Sequence, residues 1–163
     1  MLYHTSPQII DTVKNGLFGR AVCFASSPYI MEKPESTWIY CLDVDSLNVI
    51  AAERIFFDES WQQVIPIVSD IQERLGVDEE TAMNLLDQTI DTIDLCDNVP
   101  HTDIDSDFIE NDFWLQGKRY AAAVLMGYDG VTQRDETGTM WMFSVETIID
   151  QIPIRYSEWE PYE

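Results

Sequence analysis

The feature that most constrains this chain is a change of period along its length. Apolar residues recur at helical spacing through the middle, while the two ends carry short β-branched and aromatic runs bounded by turn residues. The middle, 59–126, holds three stripes. In 59–75 the apolar positions are Trp61, Val64, Ile65, Val68 and Ile71, with Gly76 as the stop and Pro66 a kink unless it lies near the helix start. Asp78 is the expected N-cap of a second helix whose stripe is Ala82, Leu85, Leu86, Ile90 and Ile93, opposite an acidic face of Asp87, Asp91 and Asp94. After a polar loop over 97–106, a third helix is expected over 107–126, closed by Gly127 and turning Phe113, Gly117, Ala121 and Val124 inward.

The ends read as strands. Before the middle these are 2–5, 21–25, 37–44 and 48–57; after it come 131–134 and 140–145, joined by the turn-rich segment 135–139. Ser6 followed by Pro7 signals a short helix carrying Ile9, Ile10 and Val13 on one face and ending at Gly16 and Gly19. A short helix over 146–151, a last strand over 152–156 and an acidic, frayed tail over 157–163 complete the pattern. Strand runs separated from helical runs predict the α+β class, and 163 residues with one such pattern predict a single domain, 1–163.

Thirty acidic residues against nine basic ones give a formal charge of -21. A surface of that sign repels phosphate backbones and attracts basic partners, which argues against direct nucleic-acid binding. Cys23, Cys41 and Cys96 sit among apolar neighbours without metal-ligand or C-x-x-C spacing and read as buried free thiols. With His4 and His101 the only histidines, no zinc site is expected. No apolar run reaches membrane-spanning length and no basic-apolar leader opens the sequence, so a soluble cytosolic protein is expected.

Glycine-rich phosphate and dinucleotide motifs are absent, and Gly16-Leu17-Phe18-Gly19 has neither the spacing nor the following helix those sites need. G-x-S-x-G is absent as well. Three other residues stand out by their placement. His4 closes the first strand, Tyr29 follows the second, and the adjacent carboxylates Asp135 and Glu136 lie at a late hairpin turn.

Singly these are ordinary residues; their order is informative. Tyr3-His4-Thr5-Ser6-Pro7, then Phe18-Gly19, then Cys23-Phe24-Ala25 with Tyr29 and Met31 beyond, resemble the amino-terminal half of an ADP-ribosyltransferase. Adding Asp78-Glu79-Glu80-Thr81-Ala82 and the run from Gly130-Val131 through Asp135-Glu136 to Gly138-Thr139, the set is similar to a phage anti-CRISPR family. That family ADP-ribosylates the DNA-motif-reading subunit of the type I-F CRISPR surveillance complex.

The resemblance implies a split antiparallel β-sheet core with flanking helices, NAD+ as co-substrate, a basic nucleic-acid-binding protein as target, and action in the host bacterial cytoplasm. By position, His4 would bind the nicotinamide-side ribose and Thr5 would offer its backbone to the nicotinamide amide. Many relatives in the wider superfamily have glycine where Thr5 stands. Tyr29 would stack on the nicotinamide ring. Ser6, Phe18 and Arg20 fall in the cofactor-binding set, and Arg20 and Arg134 are candidates for the pyrophosphate. The catalytic carboxylate would be Asp135, which also falls in the cofactor-binding set through a ribose hydroxyl, with Glu136 the adjacent alternative or an acceptor-orienting group.

Cleavage of the nicotinamide–ribose bond builds oxocarbenium character on the ribose, which a neighbouring carboxylate stabilises. A reading of another class also fits the charge: a non-enzymatic acidic DNA mimic that blocks a basic groove.

Overall fold

The computed structural model describes residues 1–14, 16–30, 34–95, 106–135 and 138–160. It is a mixed α+β chain with two sheets. Strands β1 (Leu2–Ser6), β3 (Trp38–Leu42) and β7 (Ile154–Arg155) form the smaller, in the order β1-β3-β7. Strands β2 (Ala21–Phe24), β6 (Gly138–Ser144), β5 (Gly130–Asp135) and β4 (Val49–Ala51) form the larger, in the order β2-β6-β5-β4. The expected split antiparallel core holds for every strand pair but one, because β4 pairs with β5 in parallel. Their connection runs through the helices α1 (Ile65–Leu75), α2 (Glu79–Leu86) and α3 (Ser106–Leu125), the long crossover that parallel neighbours require.

Side-chain alternation assigns the two cores. Val131 stands opposite Met142, and both join Ile55, Ile71, Leu85, Leu86, Leu115 and Ala122 beneath the helices. Phe143 lies one step along β6 and so points the other way, onto Phe24, Tyr40, Leu42 and Ile148.

Several elements match their sequence signals. Asp78 caps α2, its carboxylate accepting the Thr81 N–H at 2.8 Å. Pro66 falls in the first turn of α1, where its missing N–H costs nothing, so no kink results. Gly76 ends that helix with a left-handed φ of 67°.

Other elements differ, each for a local reason. The helix signalled by Ser6-Pro7 does not form. The Ser6 hydroxyl instead donates to the Gln8 carbonyl at 2.6 Å, and the Ile10 N–H goes to the Tyr40 hydroxyl at 2.6 Å, which leaves Ile9 and Val13 exposed. The strand expected over 48–57 stops at Ala51, and Ala52–Phe57 winds into a 3-10 helix that buries Ala52 and Ile55 three residues apart.

The second helix ends at Leu86 because Gln88 adopts φ 61°, so Ile90 and Ile93 lie outside it. Helix α3 is rotated from its expected setting. Leu115, Arg119, Ala122, Ala123 and Met126 are buried, while Val124 is exposed.

At the carboxyl end, a 3-10 turn over Val145–Thr147 replaces the expected short helix and β7 is only two residues long. The tail is anchored as far as Trp159, whose ring packs edge-on against Tyr3 at 5.8 Å. The expected loop over 97–106 lies outside the described residues up to Ser106, which opens α3.

Candidate functional site

Among the described residues the backbones of the two sheets join at a single rung. Tyr3 and Ala25 exchange both backbone hydrogen bonds at 2.9 Å, and no further rung joins β1 to β2 among the described residues. In a continuous antiparallel ladder the next rung would pair Thr5 with Cys23. Instead the Cys23 carbonyl accepts a hydrogen bond from the His4 ring, with Nδ1 2.8 Å away. The imidazole thus satisfies the carbonyl at which β2 parts from β1, and the Thr5 N–H and C=O face the gap that opens there.

That contact also fixes the histidine's state. A carbonyl only accepts, so Nδ1 carries the proton, and burial lowers the ring's pKa against the smaller opposing pull of the Cys23 carbonyl. The neutral ring leaves Nε2 as a bare acceptor, suited to a hydroxyl donor such as a sugar. Phe24 and Tyr40 flank it, with ring centroids 5.8 and 6.1 Å away.

Thr5 and Cys23 point to the opposite face of the split. Three groups couple there. The Tyr29 phenol is pushed up, first by burial and then by Cys23 and Asp135, with the Thr5 hydroxyl opposing. Burial, followed by the Asp135 charge, lifts the Cys23 thiol to about 12. Asp135 ends β5 opposite Gly138, which closes the hairpin at φ 127°. Because β6 pairs with both β5 and β2, the hairpin tip lies at the end of β2 from which the chain proceeds to Tyr29.

Thr5 Oγ1 is buried beside the Tyr29 phenol and hydrogen-bonds with it, and Trp159 Nε1 is a buried donor with no partner among the described residues. Such a donor is costly unless a ligand or water completes it. The Thr5 main chain presents a neutral donor and acceptor at the gap, the chemistry that a carboxamide or a ribose hydroxyl matches.

The structure therefore brings Thr5, Tyr29 and Asp135 together, with His4 reaching the split from its other face. Ser6 is buried and occupied by its own turn to Gln8. Phe18 packs edge-on against Phe113 at 5.7 Å, its backbone passing close over Gly117 of α3. Arg20 is not brought to the group. It precedes Ala21 at the far end of β2 and is ion-paired with Glu146 on an exposed surface. The Arg134 guanidinium donates to the Gln88 carbonyl at 2.7 Å. Glu136 lies outside the described residues.

Sequence reading passed over Arg119. Its guanidinium is buried and donates to the Leu85 carbonyl at 2.8 and 3.2 Å and to Gln133 Oε1 at 3.0 Å. Burial lowers its pKa, and the charges of Asp112, Asp91 and Asp87 oppose that shift. The signal was present in the spacing: position 119 falls in helical phase with Leu115, Ala122 and Met126. Gln88, also missed, carries no such signal.

Among the described residues no group of His, Cys, Asp and Glu side chains forms a metal-binding cluster, and no helix is long and apolar enough to cross a membrane. No family model and no curated protein matches this chain. It is similar to a solved structure described as that of an anti-CRISPR protein, with 20% identity over 88% of each chain and a TM-score of 0.45. Nothing about this chain's activity follows from a likeness of that size.

Proposed function

We propose that this chain is a mono-ADP-ribosyltransferase that uses NAD+ to modify a protein subunit of a type I-F CRISPR surveillance complex, blocking its recognition of target DNA. The observation that carries this reading is the convergence of Thr5, Tyr29 and Asp135 at the sheet split, where the Thr5 main-chain N–H and C=O face the gap. The order of motifs along the sequence supports it and supplies the target.

In this reading the nicotinamide amide meets the Thr5 main chain and its ring lies against Tyr29. The His4 Nε2 accepts a ribose hydroxyl. Nicotinamide leaves with the electron pair of the broken carbon–nitrogen bond, and the Asp135 carboxylate stabilises the positive charge that develops on the ribose. The acceptor side chain then forms its bond to that carbon and releases a proton. Preorganised groups at the split supply orientation. The net charge of -21 supplies long-range attraction to a basic target.

A second reading rests on that same charge: a stoichiometric acidic mimic of DNA that needs no cofactor. Thermal unfolding with increasing NAD+ separates the two. The transferase gains stability with ligand concentration, and substitution of Thr5 or Tyr29 weakens the gain. A melting curve indifferent to NAD+ favours the mimic.

A further inference from the structure

The carboxylate assigned to catalysis stands at the end of a strand that has lost its neighbour. Strand β4 accompanies β5 only as far as Thr132, opposite Ala51, and then turns away into the 3-10 helix Ala52–Phe57. Beyond that point the outer edge of β5 would be open. Gln88 fills the place.

Its side-chain amide accepts the Arg134 N–H at 2.8 Å and donates to the Arg134 carbonyl at 2.7 Å, the two bonds that a neighbouring strand would make. Its own carbonyl takes the Arg134 guanidinium at 2.7 Å. Gln88 is buried and is the one described non-glycine residue with a positive φ, 61°. A left-handed conformation is unfavourable for a residue with a Cβ, so the chain holds Gln88 in this geometry against its local preference.

One residue earlier, Gln133 is held from the other side by the buried Arg119 guanidinium at 3.0 Å. Both residues that precede Asp135 are thus tied to the helical layer, Arg134 to the end of α2 and Gln133 to α3. We infer that Gln88 is a positioning residue: by standing in for the missing strand it sets the place of the Asp135 carboxylate against Tyr29 and the sheet split. The inference rests on the transferase reading and adds to it that the α2 terminus governs turnover rather than NAD+ binding.

Two substitutions isolate that role. Gln88→Gly removes the amide while suiting the left-handed backbone, so the fold is not strained by the change. Gln88→Asn tolerates the same φ and keeps an amide that is one methylene too short to bridge Arg134. Measured with NAD+ and the target complex, both variants should unfold cooperatively at a somewhat lower melting temperature, since the Arg134 N–H and C=O lose their partner, and their KM for NAD+ should change less than kcat. Both should lose hydrogen-exchange protection at the Arg134 amide and show kcat lower by about tenfold, the scale expected when a reacting group is misplaced.

Wild-type turnover matched by full kcat in both variants would overturn the inference alone. Wild-type protein that leaves NAD+ intact in the presence of its target would overturn the transferase reading and this inference with it.

Discussion

The His4 imidazole donates its Nδ1 proton to the main-chain carbonyl of Cys23, 2.8 Å away, at the point where strands β1 and β2 separate. One side chain thereby satisfies the Cys23 carbonyl at the split and acquires a defined tautomer. Its folded pKa lies below 6.5 because burial disfavours the cation. The linkage follows directly: the neutral ring contributes stability above the unfolded pKa, and that contribution is lost as pH falls below it. Wild-type protein should lose stability on acidification from pH 7 toward 5 more steeply than His4→Ala. Parallel urea titrations check this, and two curves of equal slope in pH would contradict it.

Cys23 provides a chemical test of the same locus. With its thiol lifted to about 12 by burial and by Asp135, almost no thiolate exists at pH 8. Alkylation of the native protein at that pH, read by peptide mass, should leave Cys23 unmodified. Asp135→Asn removes the second cause, and it should raise the labelling rate without exposing the residue.

Arg119 carries a structural prediction. Replacing it with Ala strands the Leu85 carbonyl and Gln133 Oε1 inside the core, and each buried acceptor left without its donor costs about 1–3 kcal/mol. Denaturant unfolding should register that loss. Arg119→Lys should recover only part of it, since an ammonium cannot reproduce the guanidinium's bonds to both groups.

Gly130 tests the pairing of β5 with β6. A Cβ built there would stand 2.5 Å from the Phe143 ring and 2.6 Å from the Met142 carbonyl. Gly130→Ala should therefore destabilise by about 1–3 kcal/mol through overpacking. Gly130→Ala combined with Phe143→Leu, which removes part of the obstructing ring, should lose less than the two single changes summed.

Local signals made much of this architecture legible. The Asp78 cap, the Gly76 stop, the position of Pro66 and the β5–β6 hairpin each follow from chemistry within a few residues. The misreadings arose where a distant partner decided the outcome. Ile10 lost its helix to the Tyr40 hydroxyl, thirty residues away. The face of α3 was misjudged because it was set by Phe113, Gly117, Ala121 and Val124 without Arg119, which Leu85 and Gln133 receive in the core. At the site, His4, Thr5, Tyr29 and Asp135 were readable as an ordered set. Their arrangement on two faces of a sheet that parts after a single rung was not, since strand divergence leaves no periodic trace. Gln88 was invisible for a similar reason: a glutamine standing in for a strand differs from any other glutamine only by its three-dimensional neighbours.

The central claim is that Asp135 supports NAD+-dependent transfer to a basic protein target. Its most direct measurement incubates wild type and Asp135→Ala with the type I-F surveillance complex, with and without NAD+, and reads the intact mass of each subunit alongside DNA binding. The account predicts that substoichiometric wild type adds one ADP-ribose mass to the subunit that reads the DNA motif, and that this occurs only when NAD+ is present. Asp135→Ala should do so about 100-fold more slowly while remaining folded. Equimolar inhibition that persists without NAD+, adds no mass and ignores Asp135→Ala would contradict it.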